Sequence, residues 1–310
     1  MKILVTGGAG YIGAVLVPHL LDEGHEVTVL DNFVYGQASL LDCCHNPRLS
    51  IVRGDARNEG LVTDLVRKTD VILPLACLTG APLCDTYPLE ARSVSLDAVA
   101  LILKHKSPGQ WVVFPTTNSG YGVGETDVFC TETTPLRPVS LYGRLKVDAE
   151  KLVLDRPNTL TLRLATVFGI SPRMRLDLLV NDLTYRAVTD GFVMLFEAHF
   201  KRNYVHVRDV ARAFTHCLGN FDRMKGEPYN VGLSEANLSK RDLCEEIRQQ
   251  VPRFTVLEAE VGRDPDQRNY IVSNEKIERT GFKATVSLPT GIAELIKGYQ
   301  VIRRAGYSNV

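Results

Sequence analysis

Apolar residues come in short, unbroken runs through the first half of the chain, and helical patterns separate them. The runs at 2–6 (KILVT), 26–30, 49–53, 71–75, 110–115 and 160–164 predict six strands, β1 to β6. They are apolar throughout rather than alternating, as expected for strands covered by helices on both faces. The intervening stretches repeat apolar positions at helical spacing; 11–23, 91–105 and 138–154 are predicted helices. Strand–helix alternation implies parallel pairing through right-handed crossovers, a doubly wound, Rossmann-type α/β sheet. Beyond residue 168 the pattern loosens. Short strands at 193–196 and 255–258 mix with helices at 178–188, 207–218, 240–250 and 288–304, punctuated by proline and glycine. The expected organisation is a cofactor domain over 1–168, to which some later segments return, and a smaller C-terminal α/β lobe over 169–310 for substrate.

Composition narrows the classes. The chain has 310 residues, 45% hydrophobic and 23% charged, with 36 basic and 36 acidic side chains. That supports a sizeable core and gives no electrostatic footprint for nucleic acid or a charged membrane surface. An anionic ligand must be held by local groups. No signal peptide or bilayer-spanning run is visible, so a cytoplasmic protein is expected. The seven cysteines show neither CxxC nor zinc-ligand spacing; reduced thiols and no metal site are expected. Cys77 and Cys84 flank a loop after β4 that is placed to face a ligand.

Three groups of residues carry chemistry. Gly7, Gly10 and Gly13 form GxxGxxG between β1 and the first helix. Such a loop turns tightly, lets a pyrophosphate approach bare backbone, and presents it to a helix N-terminus. Asp31, just past β2, stands about 20 residues beyond the loop, where a carboxylate accepts from the adenosine ribose hydroxyls and repels a 2′-phosphate. The cofactor expected is NAD. Tyr11, Ile12, Asn32, Leu75 and Ala76 line the same groove in this reading. Asp55 and Ala56, after β3, approach the adenine edge, although Asp55 also suits a plain turn. Tyr142 and Lys146 form YxxxK, an i,i+4 pair on one helix face. A lysine cation and a positive nicotinamide ring favour the phenolate, so Tyr142 removes a hydroxyl proton as hydride leaves the same carbon. Thr117, Asn118 and Ser119 follow β5, at the carboxyl end of a central strand, where a hydroxyl reaches the reacting oxygen.

Together these residues resemble the extended short-chain dehydrogenase/reductase family, the nucleotide-sugar epimerases and dehydratases in particular, over nearly the whole chain. TGGAGYIG at 6–13 is similar to the family's TGGxGYIG. The resemblance makes Thr117 the catalytic Ser/Thr, Tyr142 the base, and Lys146 the lysine that also holds the nicotinamide ribose. RNYVHVRDVA at 202–211 resembles RDYIHVxDVA, which implies that Arg202 contacts the substrate diphosphate. DPDQRNY at 264–270 implies the same for Arg268, with Arg263 the nearby alternative. Arginine forks suit phosphate oxygens, and Arg175 is a further candidate. Thr79, Asn118 and Ser119 complete the expected substrate contacts.

Two departures shape the reading. The family's dehydratases carry Asp-Glu after the catalytic Thr, and here Asn118-Ser119 stand there, which ranks 4,6-dehydration low. Thr166 replaces the usual Asn of the NxxG segment. The stretch 163–186 and the loop GAPLC at 80–84 are also similar to bacterial relatives acting at C4 of GDP-linked heptoses, including a GDP-heptose 4-dehydrogenase. The resemblance therefore implies C4 oxidoreduction of a GDP- or UDP-linked sugar, as epimerase or net dehydrogenase, and a homodimer built from the helices at 91–105 and 138–154. The alternatives are another sugar-modifying activity of the family, dehydration included, and a non-catalytic NAD-binding sensor or scaffold.

Overall fold

The computed structural model describes residues 1–125, 127–259 and 268–302. Seven strands form one parallel sheet: β1 (Lys2–Thr6), β2 (Glu26–Asp31), β3 (Leu49–Arg53), β4 (Val71–Pro74), β5 (Trp111–Thr117), β6 (Thr159–Leu164) and β7 (Pro228–Val231). Their order is β7-β6-β5-β4-β1-β2-β3. The chain winds outward from β1 in both directions, so the strand order switches between β1 and β4. An open α/β sheet leaves a crevice at that point, beyond the carboxyl ends of the strands.

Apart from the edge strand β3, which is largely exposed, the apolar runs are explained by burial on both faces. Ile3 and Val5 pack on one side with Leu16, Leu20, Val210 and Phe214, from the helices Gly13–Asp22 and Val207–Gly219. Leu4, Ile72, Val112 and Phe114 pack on the other with Val99 and Ile102 and with Leu145 and Ala149 of the helix Leu141–Leu154. Each large side chain so buried contributes roughly 1.5–3 kcal/mol of transfer free energy.

The first predicted helix begins at Gly13 rather than residue 11, because Tyr11 and Ile12 complete the glycine turn. The predicted helix at 138–154 begins at Leu141; the Ser140 side chain accepts from Gly143 N at 3.1 Å and caps it. The run predicted as one helix at 91–105 is helical over Pro88–Arg92, Ser93–Asp97 and Ala98–His105, the middle piece being a π-helix. The last predicted helix is Leu288–Gly298.

Several elements escaped the pattern. β7 comes from the second half of the chain and closes the sheet beside β6. Lys201–His206 pairs in parallel with Thr166–Phe168 and antiparallel with Asn237–Ser239. The predicted strand at 193–196 is Phe192–Leu195, paired in parallel with Thr255–Glu258. Among the described residues, no helix is long and apolar enough to cross a membrane, and no cluster of His, Cys, Asp and Glu is built to hold a metal ion.

Candidate active site

The crevice at the strand switch holds two adjoining cavities. The outer one, of about 310 Å3, is lined by Asp31, Asn32, Asp55, Ala56 and Ala76. The inner one, of about 220 Å3, is lined by Tyr11, Ile12, Gly13, Thr79, Thr117, Tyr142, Lys146, Arg175 and Arg268. Gly7, Gly10, Tyr35, Leu75, Cys77 and Arg173 line both and form a waist between them.

The glycine loop is dictated by close backbone approach. Gly7 has φ +71°, and a Cβ there would sit 2.6 Å from Ala76 N. A Cβ on Gly13 would sit 2.4 Å from the carbonyl oxygen of Gly8. Neither site tolerates a side chain. Asp31 is locked to this loop: its carboxylate accepts from Ala9 N at 3.0 Å and Phe33 N at 2.8 Å. The acid that faces the outer cavity and the loop that faces the waist therefore move as one unit. Asp55 lines the outer cavity, yet Arg57 forks onto its carboxylate at 2.9 and 2.5 Å and holds it below the usual carboxylate range. Its turn role and its place in the cavity coexist.

Tyr142 and Lys146 enter the inner cavity from the first turns of Leu141–Leu154, and Thr117 enters from the end of β5. Lys146 is only 4% exposed, with Nζ 4.1 Å from the centroid of the Phe114 ring. Burial pushes its ammonium below the usual lysine range, and Glu150, one helical turn on, opposes that shift. Burial also drives the Tyr142 phenol upward. Arg175 and Arg268 act against this and favour the phenolate. The cations bearing on the base are thus two arginines from distant segments.

Three of the expected substrate contacts lie off the lining of both cavities. Asn118–Tyr121 forms a 3₁₀ turn whose residues are all buried. Asn118 and Ser119 are 1% exposed and line neither cavity, because the turn rotates their side chains behind the cleft wall. Ser119 instead links two cavity residues: its Oγ accepts from Thr117 Oγ1 at 2.9 Å and from Arg268 Nη1. Ser119 N also donates to Thr117 Oγ1 at 3.1 Å, which orients the hydroxyl. Arg202 is 4% exposed and lines neither cavity; its strand is enclosed by Thr166–Phe168 and Asn237–Ser239. Arg263 lies outside the described residues.

Arg175 and Thr79 do meet. Arg175 Nη1 donates to Thr79 Oγ1 at 3.0 Å, and its guanidinium is paired with Asp177. This ties the loop after β4 to the segment after Thr166–Phe168. Cys77, expected to face a ligand, lines the inner cavity; Tyr35, Arg173 and Tyr270 line it too, and nothing in the motifs marked these three. Only the fold brings them there. Among the described residues lining that cavity, Lys146, Arg173, Arg175 and Arg268 are basic and none is a carboxylic acid. In a chain of zero net charge, this concentration of cations is built for an anionic ligand.

The groups a dinucleotide needs are present: bare backbone at Gly10 and a helix N-terminus at the waist, a loop-anchored carboxylate at one end, and a tyrosine–lysine pair at the other. The model of the NAD dependent epimerase/dehydratase family matches residues 3–232. A dTDP-glucose 4,6-dehydratase from Actinoplanes sp. is 29% identical over 329 residues, covering 98% of this chain and 99% of the relative. A UDP-glucose 4-epimerase from Lactobacillus helveticus is 28% identical over 257 residues, covering 75% of this chain and 76% of the relative. The fold is shared with the UDP-glucuronic acid 4-epimerase from Bacillus cereus, solved with UDP-glucuronic acid and NAD. Its TM-score is 0.86 at 22% identity, over 97% of this chain and 99% of that one. The chain belongs to the NAD dependent epimerase/dehydratase family and is an NAD-dependent enzyme of the short-chain dehydrogenase/reductase kind.

Proposed function

We propose that this enzyme oxidises C4 of a nucleotide-linked sugar, with Tyr142 as base, Thr117 as the hydroxyl that holds the reacting oxygen, and Lys146 as the supporting cation. The observation that carries this reading is the inner cavity itself. It joins Thr117, Tyr142 and Lys146 to Arg175 and Arg268, and among the described residues no carboxylic acid lines it. NAD, when bound, supplies the two-electron acceptor. Tyr142, ionised, takes the proton of the 4-hydroxyl. Thr117 Oγ1, fixed by Ser119, hydrogen-bonds the same oxygen as it becomes a carbonyl. Arg268 and Arg175 balance the phosphates of the substrate and the charge on Tyr142. Elimination of water across C5 and C6 needs an acid and a base beside Thr117. Asn118 and Ser119 supply neither, and both are turned away from the cavity.

In this reading residues 1–168, with β7, hold the cofactor, and 169–310 supply most of the nucleotide-sugar contacts. The nucleotide is GDP or UDP, and the likeness of residues 163–186 to GDP-heptose enzymes puts a GDP-heptose among the substrates to try first. A homodimer through the segments at 91–105 and 138–154 and a cytoplasmic setting complete the proposal. The test is incubation with a panel of GDP- and UDP-sugars, followed by product analysis. A C4 epimer with no net NADH identifies an epimerase, and a 4-keto sugar with stoichiometric NADH identifies a dehydrogenase. A product that has lost water contradicts the reading. A wild type that binds NAD but turns over none of the panel supports the sensor alternative.

A further inference from the structure

The waist between the two cavities carries one fixed charge. Of the six described residues lining both, only Arg173 is cationic, and it is 2% exposed. Its guanidinium carbon sits 3.8 Å from the centroid of the Tyr35 ring, which is 38% exposed. The backbone around Arg173 is stitched to both banks. Ser171 Oγ donates to the Tyr11 carbonyl at 2.8 Å, on the glycine loop. Met174 N donates to Gln37 Oε1 at 3.0 Å, on the turn that carries Tyr35. Residues 171–174 therefore run as a strap across the middle of the cleft.

A dinucleotide with its ribose at Asp31 and its reactive end facing Tyr142 must pass its diphosphate through this waist. The glycine loop offers backbone dipoles there, worth about half a charge at a helix end, against two phosphate charges. Arg175 is already paired with Asp177 and spans to Thr79. We propose that Arg173 binds the diphosphate of NAD at the waist and that Tyr35, stacked on its guanidinium, holds it across the cleft. A planar guanidinium satisfies both functions at once, forking onto phosphate oxygens with its edge while its face rests on the ring. The proposal rests on NAD as cofactor and is independent of the sugar.

The test uses the full-length protein stripped of nucleotide, with wild type and the variants Arg173→Met, Arg173→Lys, Tyr35→Phe and Tyr35→Ala. Each is titrated calorimetrically with NAD and with ADP-ribose, which keeps the diphosphate and lacks nicotinamide, and by ligand-observed NMR with adenosine, which lacks both. Arg173→Met is expected to weaken NAD and ADP-ribose by about 10- to 100-fold and to leave adenosine unchanged. Arg173→Lys falls between, because it keeps the charge and loses the fork. Tyr35→Ala releases NAD several-fold faster, whereas Tyr35→Phe releases it at the wild-type rate. The proposal is overturned by an Arg173→Met protein that binds NAD and ADP-ribose within twofold of wild type. Loss of adenosine by the same factor also overturns it, because the cleft has then collapsed as a whole. Should Arg173→Met fail to fold, unchanged NAD release from Tyr35→Ala overturns it equally. Wild type that binds none of the three ligands overturns the cofactor assignment, and the proposal with it.

Discussion

At the scale of single residues, the site is a contest between burial and nearby cations. Tyr142 starts from a phenol too weakly acidic to be a base at neutral pH, and burial makes it weaker. Removing its oxygen leaves no route for the 4-hydroxyl proton, so Tyr142→Phe should lower kcat by roughly 10²- to 10⁴-fold with NAD affinity little changed. Steady-state rates and an NAD titration on one preparation check this; a variant within tenfold of wild type contradicts the role. Arg175 favours the phenolate. Its loss raises the pKa of the base, so a given ionised fraction is reached only at higher pH. The acidic limb of the kcat–pH profile of Arg175→Met should therefore move to higher pH, and a limb that stays or moves down contradicts the assignment. Lys146 was legible from its spacing to Tyr142, because i,i+4 is a property of the chain alone. Arg173 and Tyr35 were not, since they stand 138 positions apart in the chain and only the folded sheet closes that gap. The burial of Asn118 and Ser119 was not legible, because adjacency to Thr117 says nothing of the 3₁₀ turn that holds them.

At the scale of elements, the catalytic helix is pinned from behind. Glu150, two turns beyond Tyr142, accepts from Arg163 of β6 at 2.6 Å, and both are buried. Arg163 Nη1 donates to Tyr121 Oη at 3.1 Å, and Tyr121 donates to Asn230 Oδ1 of β7 at 2.7 Å. One network thus joins the Tyr–Lys helix, the Thr117 turn and the two strands at that edge of the sheet. Glu150→Ala leaves a buried guanidinium unpaired, which costs about 3–5 kcal/mol of stability. Denaturant unfolding of the variant against wild type measures it, and a loss below about 1 kcal/mol would mean that water or another carboxylate replaces Glu150. Gly13→Ala belongs to the same scale. Its Cβ meets the Gly8 carbonyl oxygen, so the loop must open and NAD binding should be lost along with stability. The strands β1, β2, β4, β5 and β6 were legible because burial writes a nearly unbroken apolar run, while β3, at the sheet edge, is largely exposed. β7, with the sequence Pro-Tyr-Asn-Val, is too short and mixed to announce itself. Its neighbour β6 and the Tyr121–Asn230 bond fix it in place.

For the whole molecule, neutrality and local charge work together. A chain with balanced charges gathers four described basic side chains around one cavity and places carboxylates, Asp31 among them, at the far end of the cleft. That polarity should favour NAD over NADP, whose 2′-phosphate would meet Asp31, and Asp31→Ser should narrow the preference; competitive titration of the two nucleotides reads it directly. The measurement that bears most directly on C4 oxidation is the fate of the C4 hydrogen. A GDP- or UDP-sugar that the enzyme turns over is prepared with deuterium at C4 and followed by NMR and mass spectrometry. The account predicts that the deuterium leaves C4, to be recovered in the reduced cofactor or at the inverted C4 of the product, and that Tyr142→Phe abolishes the transfer. Deuterium that stays at C4 of the product in its original configuration, while chemistry proceeds elsewhere on the sugar, contradicts it.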